Sequence, residues 1–508
     1  MRYYRWRRWD ILFSYMLIAS TFIMTSCGKM KKQEPEEVIL AQIGEVTISL
    51  NEFIHRTEMT IRPKYCNGDN NIHKQIILNS LIAEKMLALE AGEDNALDQN
   101  KQFRLYLQGR QEQIMREQLL NEEVFQKVKL DESEIQAEFN IAGRNYNIQY
   151  FSILDDNIAS RLNEELINSE GFFEELHQQL WPGEDLPKRE VEWKSQENPR
   201  IHDALFSKQP VKGTVIGPVR ITANNYIIMK VLGWTDELAI SETRKRERLD
   251  TVREKLTMEK AQQDYVKYVV NIMAGKKFEF NPQVLERMIK IVKPFYMLLP
   301  NEKKELFINA TFNQSDENPE LDQLAEGISD ILEEPFFSID GGSWTVKEFM
   351  EELQRHPLVF RNKIRTENDF VEQYKLAIVD MVRDHYLTKE AYNRGMQNTD
   401  VVKRSRQMWH DALLAQFQMN NYLQDKIPNL SDSLNTSILI GEYLNPYIDQ
   451  LQTKYSSRIR INVEEFNKIR LTRTDMFAIQ KNVPFSVMVP AFPQVTTDHK
   501  LDYGSRME

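Results

Sequence analysis

The stretch Ile76–Gly92, IILNSLIAEKMLALEAG, decides how the rest of the chain is read, because a second version of it, LAIVDMVRDHYLTKEAYNRG, returns at Leu376–Gly395. In the first version Leu78, Ile82, Met86 and Leu89 recur at steps of four, four and three, which lines one face of a helix with apolar side chains. Ile378, Val382 and Tyr386 hold the equivalent places in the second. Such periodicity would mark any buried helix, so the ungapped register carries the match: Leu81/Met381, Ile82/Val382, Leu87/Leu387, Glu90/Glu390 and Ala91/Ala391. The chain reads as built twice.

Working outward, each copy is preceded by a hairpin that feeds a helix. In ILAQIGEVTISLNEF, Ile39–Phe53, Gly44-Glu45 signals the turn and Ser49 is a helix cap. In FFSIDGGSWTVKEF, Phe336–Phe349, Gly341-Gly342 and Thr345 play those parts. A charged amphipathic helix follows each copy, at Gln102–Val124 and Val401–Leu423. A further echo, KFEFNPQVLERM (Lys277–Met288) and RIRINVEEFNKI (Arg458–Ile469), is expected to close each unit. The first unit also carries an insertion, Asn145–Trp234, which reads as a separate α+β module: strand Tyr146–Leu154, helix Asn157–Leu180, a Pro/Gly/Asp-rich loop, then strands Thr214–Ile221 and Tyr226–Leu232. Ser241–Met273 has the spacing of a long helix that returns the chain to the first unit.

The N-terminus carries Arg2, Arg5, Arg7 and Arg8, followed by an uncharged run Ile11–Ser26 that is short for a membrane span. It closes on Met24-Thr25-Ser26-Cys27, which resembles the lipobox of bacterial lipoproteins with Met24 in the usual place of Leu. That resemblance implies a signal peptide over 1–26, a lipid on Cys27 and a polar tether over 27–37. Removing the signal peptide takes the net charge from −11 to −14, so the chain is not one that seeks nucleic acid. With Cys27 lipidated, Cys66 is alone and no intrachain disulfide can form; stability must come from packing.

The hairpin ending in TIxxxEF or TVKEF, a helix of the LIAEKMLALEAG kind and the strand-helix-strand insertion together look like the SurA and PrsA envelope chaperones, in which a helical chaperone domain flanks a parvulin-type (PpiC) peptidyl-prolyl cis-trans isomerase module. Locally, Ala204–Val219, ALFSKQPVKGTVIGPV, is similar to the parvulin stretch A-x-F-x-L-x-x-G-x-V-S-x-P-V, and Asn225–Val231 sits where that family carries F-G-Y-H-I-I-K-V. The resemblance implies a mainly α-helical α+β fold of two SurA-N-like units, the first with an inserted, degenerate parvulin-like domain. The expected segments are 38–144 for the first helical unit, 145–235 for the module, 236–300 for the return helix and closing piece, 301–334 for an acidic linker, 335–480 for the second unit and 481–508 for a C-terminal tail.

Its catalytic pattern departs from the family. The first-strand His of A-x-H-I-L falls on Tyr150, and the His of G-Y-H-I-I falls on Ile227. The glycine-rich G-G-D-L-G-W loop becomes Lys188–Trp193, which keeps Trp193 and an acid at Glu190, while the proline-pocket Phe falls on Ile201. Prolyl isomerisation faces a barrier of about 18–20 kcal/mol, lowered by a shaped apolar pocket with oriented hydrogen-bonding groups. A module without the imidazole pair is expected to bind more than it catalyses. Elsewhere the eight His show no His-x-x-x-His spacing, so no metal or other cofactor is expected, and Cys66 reads as a half-buried loop residue. The paired aromatics and Met residues read mainly as core, with a minority suited to promiscuous apolar contact.

The resulting expectation is an envelope lipoprotein chaperone, periplasm-facing and anchored to the outer membrane through Cys27. It would hold unfolded secreted or outer-membrane polypeptides on an apolar surface between its units, with no cofactor, small-molecule substrate or nucleic acid. An active prolyl isomerase and a structural subunit of an envelope complex are the alternative readings.

Overall fold

The computed structural model describes residues 37–195, 197–222, 225–297, 327–362, 364, 366–427, 436–471 and 488–507. The targeting segment, Cys27, all but Glu37 of the tether and the 301–326 part of the acidic linker lie outside the described residues. The main elements begin with β1 (Ile39–Ile43), β2 (Val46–Ser49), α1 (Leu50–Glu58), α2 (Asn71–Ala91), α3 (Lys101–Glu123) and α4 (Glu132–Ile141). Next come β3 (Arg144–Ile153), α5 (Asp156–Arg161), α6 (Glu164–Ile167), α7 (Phe172–Leu180), β4 (Lys188–Glu192), α8 (Pro199–His202) with a π-helical turn at Asp203–Ser207, β5 (Val215–Thr222), β6 (Asn225–Asp236) and α9 (Glu242–Met273). The chain ends with β7 (Phe278–Phe280), α10 (Pro282–Met297), β8 (Pro335–Ile339), β9 (Gly342–Thr345), α11 (Val346–Arg355), α12 (Glu367–Asn393), α13 (Asp400–Lys426), α14 (Asn445–Tyr455), β10 (Ile459–Ile461), α15 (Val463–Lys468) and β11 (Ser505–Arg506). The fold is mixed α+β, mainly helical, with small sheets.

The described residues form two compact bodies: one within 37–114, 278–378 and 397–507, the other within 115–277 and 379–396. In the first body α2 is the central element. Asn70 Oδ1 accepts from the His73 amide at 2.9 Å to cap its start, and Gly92, at φ +72°, lies just beyond its end. The periodicity predicts one apolar face, yet every residue from Ile76 to Ala88 is buried, including Glu84 and Lys85. The apolar part packs with β1, β2, α1, α14, β10 and α15. The charged part is resolved by pairing, since a carboxylate or ammonium taken out of water is strongly disfavoured unless partnered. Arg56 holds Glu84 in a bidentate pair, both bonds 2.7 Å, with side chains 0% and 2% exposed. Lys85 bridges Glu52 and Asp411, each at 2.9 Å. Burial alone would lower the Lys85 pKa, but Glu52, Asp411 and Glu84 around it outweigh burial and raise it.

The closing pieces do not serve the hairpins of their own copies. Phe278–Phe280 was expected to close the first unit; instead β7 pairs antiparallel with β8 of the second hairpin, Phe278 opposite Ile339 and Phe280 opposite Phe337. Ile459–Ile461 crosses the other way, and β10 pairs antiparallel with β1, Ala41 opposite Ile461 and Ile43 opposite Ile459. Side-chain chemistry explains the choice. Phe278 lies 5.2 Å from Phe337, centroid to centroid, in an aromatic cluster with Phe336, Trp344 and Phe349, whereas the buried β1–β10 pairs, Ala41 with Ile461 and Ile43 with Ile459, are aliphatic. The paired helices exchange likewise, with α2 packed along α13. In the second body, the ends of α3 and α12 are joined by the Arg116 Nη1 bond to Thr388 Oγ1 at 2.7 Å and by the Arg394–Glu123 ion pair.

The 481–508 segment departs from a tail: its described part, 488–507, buries Phe492 and Val495 and ends in β11, parallel to β10. Arg56 Nη2 donates to the Ala491 carbonyl at 2.9 Å, and Asn79 Nδ2 donates to the carbonyls of Asp498 and Lys500, each at 2.8 Å. Another departure is the helix expected over 157–180, which is divided into α5, α6 and α7 because Leu162 is extended, Asn163 Oδ1 caps a new turn at Leu166 N (2.8 Å) and Gly171 sits at φ +79°.

Two measurements follow from this core. Arg56→Ala should destabilise the chain by about 3–5 kcal/mol by leaving the Glu84 carboxylate buried and unpaired, with Arg56→Met/Glu84→Leu recovering much of the loss in urea unfolding. Additive losses in the double variant would contradict the pairing. His410, with Asp411 Oδ1 3.8 Å from Nδ1 and Asp98 Oδ1 2.8 Å from Nε2, has its pKa raised by those carboxylates, Asp411 first. Its protonated form therefore stabilises the fold fully below the unfolded pKa near 6.5, and that contribution is lost as pH rises through the higher folded value. His410→Gln should cost more stability at pH 6 than at pH 9; equal losses would rule the effect out.

Candidate functional site

The inserted module forms a four-stranded antiparallel sheet in the order β4-β3-β6-β5. Strand alternation sends Tyr146, Ile148 and Tyr150 of β3, Val191 of β4, and Ile227, Met229 and Val231 of β6 to one face. That face also packs on Ile201 and Phe206, and on Ile135 and Val252 from α4 and α9. Phe151, Ile153 and Ile228 point to the other face, covered by α5, α6 and α7.

Four of the five positions taken from the parvulin resemblance, Tyr150, Trp193, Ile201 and Ile227, therefore come together on one face. Glu190 does not. It is exposed, one residue out of phase with Val191, and its neighbour Arg189 takes the inward place. The Arg189 guanidinium lies 4.9 Å from the centroid of the Tyr150 ring and pairs with Glu197 Oε2 at 2.6 Å. Tyr150 is thus roofed by a cation held from the far side.

Trp193 is a core residue, 1% exposed. Its Nε1 donates to Glu138 Oε2 at 2.8 Å, and Lys255 Nζ sits 4.0 Å from its ring centroid. The module does contain an imidazole, His202, packed 4.5 Å from Phe206 with Nε2 3.0 Å from the Trp193 carbonyl and in contact with Lys255 Nζ. Burial and the adjacent ammonium push its pKa down to about 4, so at neutral pH it is uncharged and accepts from Lys255, itself lowered by burial to about 8. Arg189, Glu197, Glu138 and Lys255 escape the sequence reading; the period-two run Arg189, Val191, Trp193 is the signal that a strand call for 188–192 would have exposed.

Ile201 and Ile227 are buried, 3% and 6% exposed, so what this face presents beside the Arg189 guanidinium is the half-buried Tyr150 ring. Its nearest imidazole is turned to the Trp193 carbonyl. In the first body Cys66 is fully buried rather than half-buried, and burial pushes its thiol up to about 12, which keeps it protonated and unreactive. Among the described residues no group of His, Cys, Asp or Glu is arranged to hold a metal ion, and no helix is long and apolar enough to cross a membrane. A scan of protein-family models finds no match to the chain, and a search of curated proteins finds no relative.

Arg189→Ala should uncover Tyr150 at little energetic cost. The pair is partly exposed, so less than about 1 kcal/mol of stability should be lost. Nitration of Tyr150 by tetranitromethane, followed by peptide mass mapping, should rise; unchanged modification would show that Arg189 is not the cover.

Proposed function

We propose that the chain is a SurA-like holdase of the bacterial envelope, binding unfolded secreted or outer-membrane polypeptides, with a parvulin-like module that binds chain segments but does not turn them over. The observation that carries this reading is the convergence of Tyr150, Ile201 and Ile227 on one sheet face where the family would place its histidines and proline pocket. Ile201 and Ile227 are buried within the module, so what it offers a chain segment there is the half-buried Tyr150 ring, worth roughly 25 cal/mol per Å² of apolar surface covered. With the Arg189 guanidinium tied to Glu197 and the Lys255 ammonium in contact with His202, it offers few oriented groups to a twisting imide. Holding a client needs weak contact at several points, because the client must leave to fold. The lipid on Cys27, the periplasmic orientation and the outer-membrane location belong to this proposal and follow from the lipobox-like sequence.

The test is a pair of assays on one preparation. Excess mature chain should suppress light scattering by a urea-unfolded outer-membrane β-barrel protein on dilution, and should leave cis-trans exchange of a Pro-containing tetrapeptide at its uncatalysed rate. Absence of suppression at several-fold excess would sink the holdase. Accelerated exchange that is abolished by Tyr150→Phe would establish the isomerase reading instead.

A further inference from the structure

β5 is the edge strand of the module's sheet, and along its open side runs a cleft of about 710 Å³ walled by α6, by α8 with its π-helical turn, and by the strand itself. An open strand edge presents backbone donors and acceptors to any chain that can lie beside it, and folds usually blunt it. Here Pro218 interrupts the middle of β5, where its pairing with β6 also shifts register, and side chains cover the edge on either side. The Asn168 carboxamide makes a two-point bond to one residue of the edge: the Val215 amide donates to Oδ1 at 3.0 Å, and Nδ2 donates to the Val215 carbonyl at 3.3 Å. That is the exchange an antiparallel neighbour makes in a hydrogen-bonded pair. At the other end Arg200 Nη1 donates to the Arg220 carbonyl at 2.8 Å. An amide side chain thus stands in the cleft as a substitute for one residue of a missing strand.

The rest of the lining suits an extended chain. Pro199 and Pro210 give apolar contact, and Pro218, within β5, has no N–H to donate, so main-chain pairing is confined to the strand on either side of it, at Val215 first of all. The charged lining residues are Arg200, Lys208 and Asp203, all exposed, a positive balance in a chain of net charge −11.

We infer that this cleft takes an extended segment of unfolded polypeptide, which displaces Asn168, adds to β5 as a fifth strand and sets an acidic side chain beside Lys208 and Arg200. The inference rests on the holdase reading and gives it a binding site separate from the Tyr150 face. Main-chain pairing supplies affinity that is blind to sequence, as broad client use requires, and the two cations add a preference for acidic segments.

The probe is an acetylated dodecapeptide of alternating Val and Thr with a central Asp, titrated into the full mature chain by calorimetry. Methylation of alternate backbone nitrogens on the pairing edge should weaken binding at least about tenfold, since each removes a ladder donor. Lys208→Glu, at an exposed position, should weaken binding of the Asp peptide about tenfold and favour a Lys-centred one. Asn168→Ala should tighten binding, because the edge of Val215 is then unoccupied. Equal binding of the methylated and parent peptides, or an unchanged affinity in Lys208→Glu, would overturn the inference. Failure of the cleft and failure of the holdase separate cleanly: suppression of aggregation retained without peptide binding removes the cleft alone, and peptide binding as described without suppression removes the holdase alone.

Discussion

The first body depends on satisfying the Arg56–Glu84 pair, which is buried to within 2%. A helix buried on every side has nowhere to turn a charge, so each ionised residue on α2 must be met by another part of the chain. Glu84 is met from α1, and Lys85 by Glu52 of α1 and Asp411 of α13. A third Arg56 donor, the other hydrogen on Nη2, goes to the carbonyl of Ala491, which draws the C-terminal segment into place. Three distant stretches are thereby fixed in register around one helix. Well-packed apolar residues could equal such pairs in stability, but apolar contact tolerates slippage along a helix and a bidentate guanidinium does not.

That registration bears on the exchange of closing pieces. Two hairpins of similar design and two similar closing strands allow two pairings, each burying comparable surface. Pairing within a copy would set the phenylalanines of β7 against Ala41 of β1, overfilling one sheet, and the isoleucines of β10 against the aromatic β8, underfilling the other. Pairing across copies matches aromatic to aromatic and aliphatic to aliphatic. It also ties the ends of the chain together, because Gly44 donates to the Arg458 carbonyl at 3.0 Å and, having no Cβ, leaves room for the guanidinium that a side chain would meet at 2.3 Å. The repeat therefore yields one interlocked body in place of two separate copies, at the expense of contacts separated by over 400 residues, which close slowly.

What the sequence made legible is what local pattern controls. Both hairpins, with their capping Ser49 and Thr345, both repeated helices and three strands of the inserted sheet stand where periodicity and turn residues put them. What escaped is controlled by distant partners. Lys188–Glu192 lacks an apolar run and becomes a strand because β3 offers it an edge. Nothing near Glu84 in sequence announces Arg56, and nothing near residues 488–507 announces Asn79. In the candidate site the apolar positions were legible because they follow the pleat. Their polar neighbours were not, since Arg189 and Glu197 read as surface until folding sets them over Tyr150.

The same accounting supports the proposal that the module binds chain segments without turning them over. To lower the barrier of a twisting imide, donors must be left aimed at an atom that moves. The polar groups nearest the Tyr150 face are committed to the module itself: Arg189 to Glu197, Trp193 to Glu138, and His202 to the Lys255 ammonium beside the Trp193 carbonyl. Withdrawing any of them for catalysis would strand a partly buried partner, a loss of about 1–3 kcal/mol each. What this arrangement leaves over is the half-buried ring of Tyr150 and backbone along β5, and neither is fitted to the geometry of one peptide bond. On the proposed holdase reading, such groups hold a polypeptide in many registers, and the absence of a single preferred one is what lets it go.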